Sequence, residues 1–319
     1  MEREVVCGTG TESSLQQEQS HVASQQVGWR DFVTVTKPGI LRSNLLSTAV
    51  GFWLAVHSFQ LSEASAWNTL FLFLYTCLGT TLVMASGTVL NNYLDRDLDR
   101  LMERTKNRPS VQRMKPKTLL SYGLVLGILG VIVLSFVNIL SAVLGFLGIF
   151  SYVVVYTALL KRTSTLNTVV GGIPGSIPPM IGWCAVSGTL DAAAWILFAF
   201  VFLWQPPHFL ALAMLRAEEY KHAGFKMLPQ SVDDHESKWQ ILLWVAALVP
   251  SSLLFFLLPN IGYIYLTVAV VLGSVYVYCA LQGVLGKAKD GKRWAGKMFG
   301  YSLMYLVVIY AALFIDAVL

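Results

Sequence analysis

Asn91, Asp95 and Asp99 fall at i, i+4 and i+8, so on a helix they form one stripe. The run Asn91-Asn92-Tyr93-Leu94-Asp95-Arg96-Asp97-Leu98-Asp99 closes a long apolar segment and passes into Arg100, Arg104, Lys106 and Arg108. Two carboxylates and an amide at the mouth of a membrane helix are costly to keep there, and groups so placed mark functional sites. Carboxylates one turn apart are a natural seat for a hard divalent cation such as Mg2+, itself a handle for a substrate phosphate. Arg104, Lys106 and Arg108 are the cations expected to touch that phosphate, the arginines bidentately and the lysine as a point charge. The rest of the basic run to Lys117 reads as a topology signal, with Asp97 and Arg96 pairing in a solvated loop.

Three more polar clusters interrupt apolar sequence. Trp204-Gln205-Pro206-Pro207-His208-Phe209 lies inside an apolar segment, where two prolines free backbone groups and should kink the helix. His208 is either a hydrogen-bonded core residue or a ligand, and Gln205 beside it raises the second reading. Arg216-Ala217-Glu218-Glu219-Tyr220-Lys221 follows that segment, and Tyr156, Lys161 and Arg162 close an earlier one. The glycine- and proline-rich run from Gly171 to Pro179 is too apolar for a phosphate loop and reads as bending and close packing.

The elements that must position these groups are membrane helices. The chain has 319 residues, 55% hydrophobic and 13% charged, and a mean hydropathy of +0.60; soluble domains carry roughly 25% charged residues. Nine apolar segments approach spanning length, at 40–57, 69–90, 118–136, 139–160, 169–187, 193–215, 239–258, 261–285 and 296–318. Tight turns are expected near Asn138 and at Leu258-Pro259-Asn260-Ile261-Gly262. With the N-terminus in the cytoplasm, all 23 Lys and Arg fall in cytoplasmic segments, which puts the C-terminus outside. The net charge of +5 is thus a topology signal and implies no nucleic-acid partner. Cys7, Cys77, Cys184 and Cys279 show no pairing pattern, so no disulfide framework is expected. Residues 1–28, rich in Gln, Ser and Glu, read as a disordered cytoplasmic tail before a membrane domain over 29–319. The tail carries neither a signal peptide nor an Arg-rich presequence, which favours a bacterial cell membrane over a mitochondrial one.

The string Asn-x-x-x-Asp-x-x-x-Asp at 91–99 resembles the first aspartate-rich motif of the UbiA-type intramembrane prenyltransferases. Tyr156-Thr157-Ala158-Leu159-Leu160-Lys161-Arg162, Trp204 to Phe209 and Met227-Leu228-Pro229 narrow the resemblance, over about 30–319, to the branch that farnesylates heme. It implies an all-α polytopic protein, nine helices bundled around a central cavity that opens to the cytoplasmic side. It also implies farnesyl diphosphate, heme b and water as substrates, heme o and diphosphate as products, and supply of the product to a heme A synthase. In that frame Asn91, Asp95, Asp99 and Lys161 are the catalytic set. Mg2+ is held by Asp95 and Asp99 with Asn91, diphosphate by Arg104, Lys106 and Arg108, and heme by His208 with Trp204 and Gln205.

One departure stands out: the second aspartate pair of many superfamily members is absent. Either Glu218 or Glu219 supplies a second metal, or Arg216 and Lys221 touch phosphate directly. Two other functions compete. A UbiA-type enzyme acting on a quinone or other aromatic precursor would not need the proline–histidine string. A heme transporter would be expected to carry midplane charges rather than carboxylates at the membrane boundary.

Overall fold

The computed structural model describes residues 27–60, 66–161, 163–164, 166–217, 233–286 and 290–319. Nearly all of the expected tail, together with Arg162, Glu218, Glu219, Lys221 and the Met227-Leu228-Pro229 string, lies outside the described residues. Every regular element among those described is helical. The order is α1 (Trp29–Val35), α2 (Pro38–Ser58), α3 (Ala66–Leu94), α4 (Arg96–Asp99), α5 (Pro109–Gln112), α6 (Pro116–Val137) and α7 (Ile139–Phe150), which continues as a π-helical segment (Ser151–Leu160). Then come α8 (Asn167–Val170), α9 (Gly172–Ser187), α10 (Ala192–Leu215), α11 (Asp234–Leu253, extended by the 3-10 turn Leu254–Leu257), α12 (Tyr263–Val284) and α13 (Gly291–Asp316).

Eight helices among the described residues are long and apolar enough to cross a membrane. The protein is a multi-pass membrane protein, and Phe71, Leu74, Ile128, Phe146, Val271 and Tyr278 stand exposed on its outer surface, where lipid replaces water. The fifth apolar segment of the sequence is divided. Its two helices, α8 and α9, hold 4 and 16 residues, so α9 alone rises only about 24 Å.

That short helix packs closely against α2. A Cβ on Gly51 of α2 would lie 2.2 Å from the Pro179 carbonyl oxygen, and one on Gly182 of α9 would lie 2.0 Å from that of Thr48. Backbone meets backbone at this crossing, the usual way membrane helices gain contact when lipid is as apolar as their side chains. Asn138 makes the expected turn between α6 and α7: its side chain caps α7 by accepting from Ser141 N at 2.7 Å and donates to the Cys184 carbonyl of α9 at 2.8 Å. α10 runs through Pro206 and Pro207 as one helix.

The core gathers between α2 and α9–α13. Phe200, Tyr265, Tyr276, Tyr305 and Tyr310 are fully buried there. Three of the hydroxyls are satisfied: Tyr265 by the Ser252 carbonyl (2.6 Å), Tyr305 by Ser252 Oγ (3.0 Å) and Tyr310 by Ser47 Oγ (3.0 Å). Asp316, at the end of α13, accepts from Gly262 N (2.6 Å) and Tyr265 N (3.0 Å) and so caps α12. Cys77, Cys184 and Cys279 are free thiols. The opposite end of the bundle carries α1, α4 and α5, and there the Asn91–Asp99 stripe meets Arg104, Arg108 and Lys161.

Candidate active site

α3 delivers Asn91 on its last turn, ends at Leu94, and restarts as α4 after Asp95. The i,i+4 backbone bonds continue across the joint, from Asp95 N to Asn91 O (2.9 Å) and from Asp99 N to Asp95 O (2.8 Å). The stripe therefore survives the helix end, with Asn91, Asp95 and Asp99 only 3%, 2% and 5% exposed. Each member meets a cation or amide from elsewhere. Lys37 Nζ donates to Asn91 Oδ1 at 2.7 Å. Asn91 Nδ2 donates to Asp95 Oδ2 (2.8 Å) and Thr157 Oγ1 (3.2 Å). Lys161 Nζ donates to Asp95 Oδ2, and Arg108 Nη1 to Asp99 Oδ2 at 2.9 Å.

The basic segment after α4 folds back over the stripe. Arg96 does not pair with Asp97; its Nε donates to the Ser110 carbonyl at 3.0 Å, and Thr105 Oγ1 donates to the Asp99 carbonyl at 2.7 Å. These two bonds turn the loop so that Arg104 and Arg108 line the pocket over the stripe. Lys106 points away, paired with Glu103 at 2.6 Å on the surface. Asp97 lies exposed, 3.8 Å from Arg100. Arg216 caps α10 and lies outside the lining described for this pocket.

Lys37 was not singled out in the sequence. Its signal was slight, a basic residue just before the proline that opens the first span. Its place is set by α3, whose Thr88 Oγ1 donates to the Thr36 carbonyl (2.9 Å) and whose Asn92 Nδ2 donates to that of Val35 (2.7 Å). An ion pair between Asp31 of α1 and Arg113 (2.8 Å) holds the same strand of chain from the other side. Burial, then the nearby charges of Arg108 and Lys161, push the Lys37 ammonium down to about 7. At Lys161 burial also opposes the charge, but Tyr156, Asp95 and Asp99 outweigh it and raise the pKa above the ordinary lysine value.

Lys37, Asn91, Asp95, Asp99, Arg104, Arg108, Tyr156 and Lys161 surround a polar pocket of about 160 Å³. Tyr152 lines this pocket and also a second, mostly apolar cavity of about 360 Å³ that runs into the bundle past Ile177, Val201 and Leu306. Trp204, Gln205 and His208 stand on the wall of the second cavity. His208 is stacked between Trp204 (centroids 4.7 Å) and Phe299 (4.6 Å). Its Nδ1 lies 2.7 Å from Ser302 Oγ, which donates to the Phe299 carbonyl at 2.6 Å. The hydroxyl has one proton, so Nδ1 is the donor to Ser302, and in the neutral ring Nε2 then carries the lone pair. Trp204 Nε1 donates to the Ser302 carbonyl at 2.7 Å. Gln205 Nε2 is gripped by the carbonyls of Gly172 (2.8 Å) and Val201 (3.2 Å) and by Ser176 Oγ (3.0 Å).

The donor set suits a hard divalent cation. Asp95 Oδ1 is a buried carboxylate oxygen without a hydrogen-bond partner, an arrangement that is expensive unless something positive meets it. Among the described residues no three His, Cys, Asp or Glu side chains cluster as a closed metal cage. Two carboxylates and an amide fit Mg2+, which keeps open positions for water and phosphate oxygens.

The chain is similar to known proteins along most of its length. Residues 44–303 match the UbiA prenyltransferase family. The protoheme IX farnesyltransferase of Alkalihalophilus pseudofirmus is 45% identical over 292 residues, 91% of each chain. That of Exiguobacterium sibiricum is 47% identical over 88% of this chain and 91% of its own. Protoheme IX farnesyltransferase 2 of Bacillus subtilis is 41% identical over 91% and 92%. Among solved structures, digeranylgeranylglyceryl phosphate synthase superposes with a TM-score of 0.73 at 18% identity, covering 91% of this chain and 98% of its own. A UbiA homologue of Archaeoglobus fulgidus bound to GPP and Mg2+ superposes at 0.58 with 15% identity, over 89% and 99%. These structural likenesses concern the fold.

Proposed function

The chain belongs to the UbiA prenyltransferase family, and from that premise we infer that it is a protoheme IX farnesyltransferase, converting farnesyl diphosphate, heme b and water to heme o and diphosphate. The observation that carries this reading is Tyr152, shared by the charged pocket and the apolar cavity. One amphipathic substrate can lay its diphosphate among the cations and its isoprenoid chain in the bundle.

Asp95 and Asp99, with Asn91 as a third oxygen donor, would hold Mg2+, which neutralises diphosphate and makes it a competent leaving group. Lys161, Arg104 and Arg108 supply fixed positive charge where negative charge grows as the C1–O bond breaks and its electron pair leaves with the diphosphate. The apolar walls keep bulk water from the resulting allylic cation, and Tyr152 and Tyr156 offer ring faces to it. The terminal carbon of the heme 2-vinyl group then bonds to C1 of the farnesyl cation. The positive charge passes to the carbon beside the porphyrin, a water oxygen bonds there, and one proton is lost. His208, on the cavity wall with Nδ1 engaged by Ser302 and with Trp204 and Phe299 packed on its ring, would meet the heme iron through Nε2 of its neutral imidazole.

The same reading assigns α9 as the ninth crossing. Counted so, all 23 Lys and Arg fall on one side, the cytoplasmic one, with the charged pocket. The N-terminus is then cytoplasmic, the C-terminus outside, and the membrane a bacterial cell membrane. The Ser302-fixed imidazole favours heme over a quinone precursor as acceptor. A pocket of carboxylates and cations favours group transfer from a diphosphate over heme transport.

Purified protein given heme b, farnesyl diphosphate and Mg2+ is expected to yield a porphyrin heavier by one farnesyl and one hydroxyl group in mass spectrometry. Prenylation of a quinone precursor with untouched heme would overturn the assignment.

A further inference from the structure

We propose that Lys37 is a diphosphate ligand of this enzyme, a fourth cation of the anion pocket contributed by the connector between α1 and α2. The proposal deepens the prenyl-diphosphate reading and rests on it.

Three observations carry it. The backbone at Lys37 is left-handed, with φ 54 and ψ 67. That region disfavours every residue with a Cβ, and a residue before proline prefers extended backbone, so Lys37 is held against two local preferences. Glycine would take this conformation at no cost. Strain of this kind points to a function for the side chain it presents.

The second observation is how the strain is enforced. Thr88 and Asn92, both buried on α3, bind the carbonyls of Thr36 and Val35, the two residues before Lys37. Asn91, from the same turn of α3, receives the ammonium at 2.7 Å. Capping α2 does not require a lysine, because the Lys37 contribution there is its backbone carbonyl, which accepts from Ile40 N at 2.9 Å. The lysine side chain is spent on the pocket alone.

The third is charge. Four cationic side chains, Lys37, Arg104, Arg108 and Lys161, line the pocket with two carboxylates, Asp95 and Asp99. Positive charge exceeds negative by two when all are ionised, and like charges this close repel. A trianionic diphosphate ester with one Mg2+ carries a single net negative charge and relieves that repulsion. Lys37 and Asn91 line the same pocket as Asp95, so the ammonium at Asn91 Oδ1 borders the polar space that a diphosphate would fill. A short shift of the flexible lysine stem moves its ammonium from amide to phosphate.

The test uses the full-length protein with Lys37→Met, Lys37→Gly and Lys37→Arg, and inorganic pyrophosphate as probe, titrated calorimetrically with and without Mg2+. The Met and Gly variants should bind pyrophosphate at least tenfold more weakly in both conditions, with heme b titration unchanged. Arg should restore most of the loss. Gly should also melt no lower than wild type, because it relaxes the backbone, which separates lost charge from lost fold. Wild-type affinity for pyrophosphate in the Gly variant would overturn the proposal. So would a loss seen only with Mg2+ present, since Lys37 would then act by orienting Asn91. Failure of the wild-type protein to bind pyrophosphate would instead overturn the prenyl-diphosphate reading itself.

Discussion

Ser302 accepts a hydrogen bond from His208 at 2.7 Å while giving its own proton to the Phe299 carbonyl at 2.6 Å. The pair fixes the imidazole tautomer and leaves Nε2 as the atom that can meet a metal centre. Ser302→Ala should therefore weaken heme b binding about tenfold, the usual cost of losing a partner that orients a metal ligand. His208→Ala should remove the ligation band from the heme absorption spectrum. Both variants should bind inorganic pyrophosphate as wild type does, because neither residue lines the charged pocket. An unaltered heme spectrum in His208→Ala would refute iron ligation.

Asp95 joins Asn91 and Lys161 and keeps one oxygen unpartnered, so it is the most sensitive point of the pocket. Asp95→Asn keeps the shape and removes the charge. Turnover should fall by roughly 100-fold or more, and removal of divalent cations by chelation should have the same effect on the wild type. Turnover that persists in the variant and still responds to Mg2+ would place the metal elsewhere.

The loop cations are separable. Arg96 touches no expected substrate position, yet it binds the Ser110 carbonyl and so shapes the loop that carries Arg104 and Arg108. Arg96→Ala should raise the KM for farnesyl diphosphate about tenfold, equivalent to roughly 1.4 kcal/mol, with a smaller effect on kcat. Lys106→Ala should alter KM by less than about twofold, because its surface pair with Glu103 is worth little. Steady-state kinetics of the two variants side by side decides the point.

The α2–α9 crossing should tolerate no side chain. Gly182→Val would press a Cβ into the Thr48 carbonyl, 2.0 Å away, and neither backbone can retreat cheaply. A loss of about 3 kcal/mol is expected, at the upper end of overpacking costs. Thermal unfolding in detergent would report it, and a Tm equal to wild type would show that the crossing can open.

The Asn91–Asp95–Asp99 stripe was legible in the sequence because it is local. Three residues at helical spacing stay on one face wherever the helix goes, and Asn91, Asp95 and Asp99 do so even across the end of α3. The loop was legible only in part. Arg104, Lys106 and Arg108 are alike in type and spacing, and what turns Lys106 outward is a pair of side chain–backbone bonds from Arg96 and Thr105 that periodicity does not encode. Lys37, the pair Tyr152 and Thr157, and Ser302 come from three separate elements and reach their partners through packing, so no window along the chain reveals them. The fifth apolar segment looked like a span of ordinary length; Gly171 separates it into two helices, and the longer one sinks against α2 by backbone contact.

The π-helical segment Ser151–Leu160 closes with bonds five residues apart, from Lys161 N to the Tyr156 carbonyl (2.8 Å) and from Thr157 Oγ1 to that of Tyr152 (2.7 Å). Wider turns change the angular step per residue, so this stretch works as a phase adjuster between two halves of one membrane element. The preceding half, α7, is anchored at its own end by the Asn138 cap and buries Ala142 and Leu144 in the bundle. Within the ten wide-turn residues even one deletion would swing Tyr152, Thr157 and Lys161 out of register with Asp95. The spacing between Tyr152 and Lys161 is thus a ruler held by the backbone, and it should be less free to vary in length than any apolar stretch beside it.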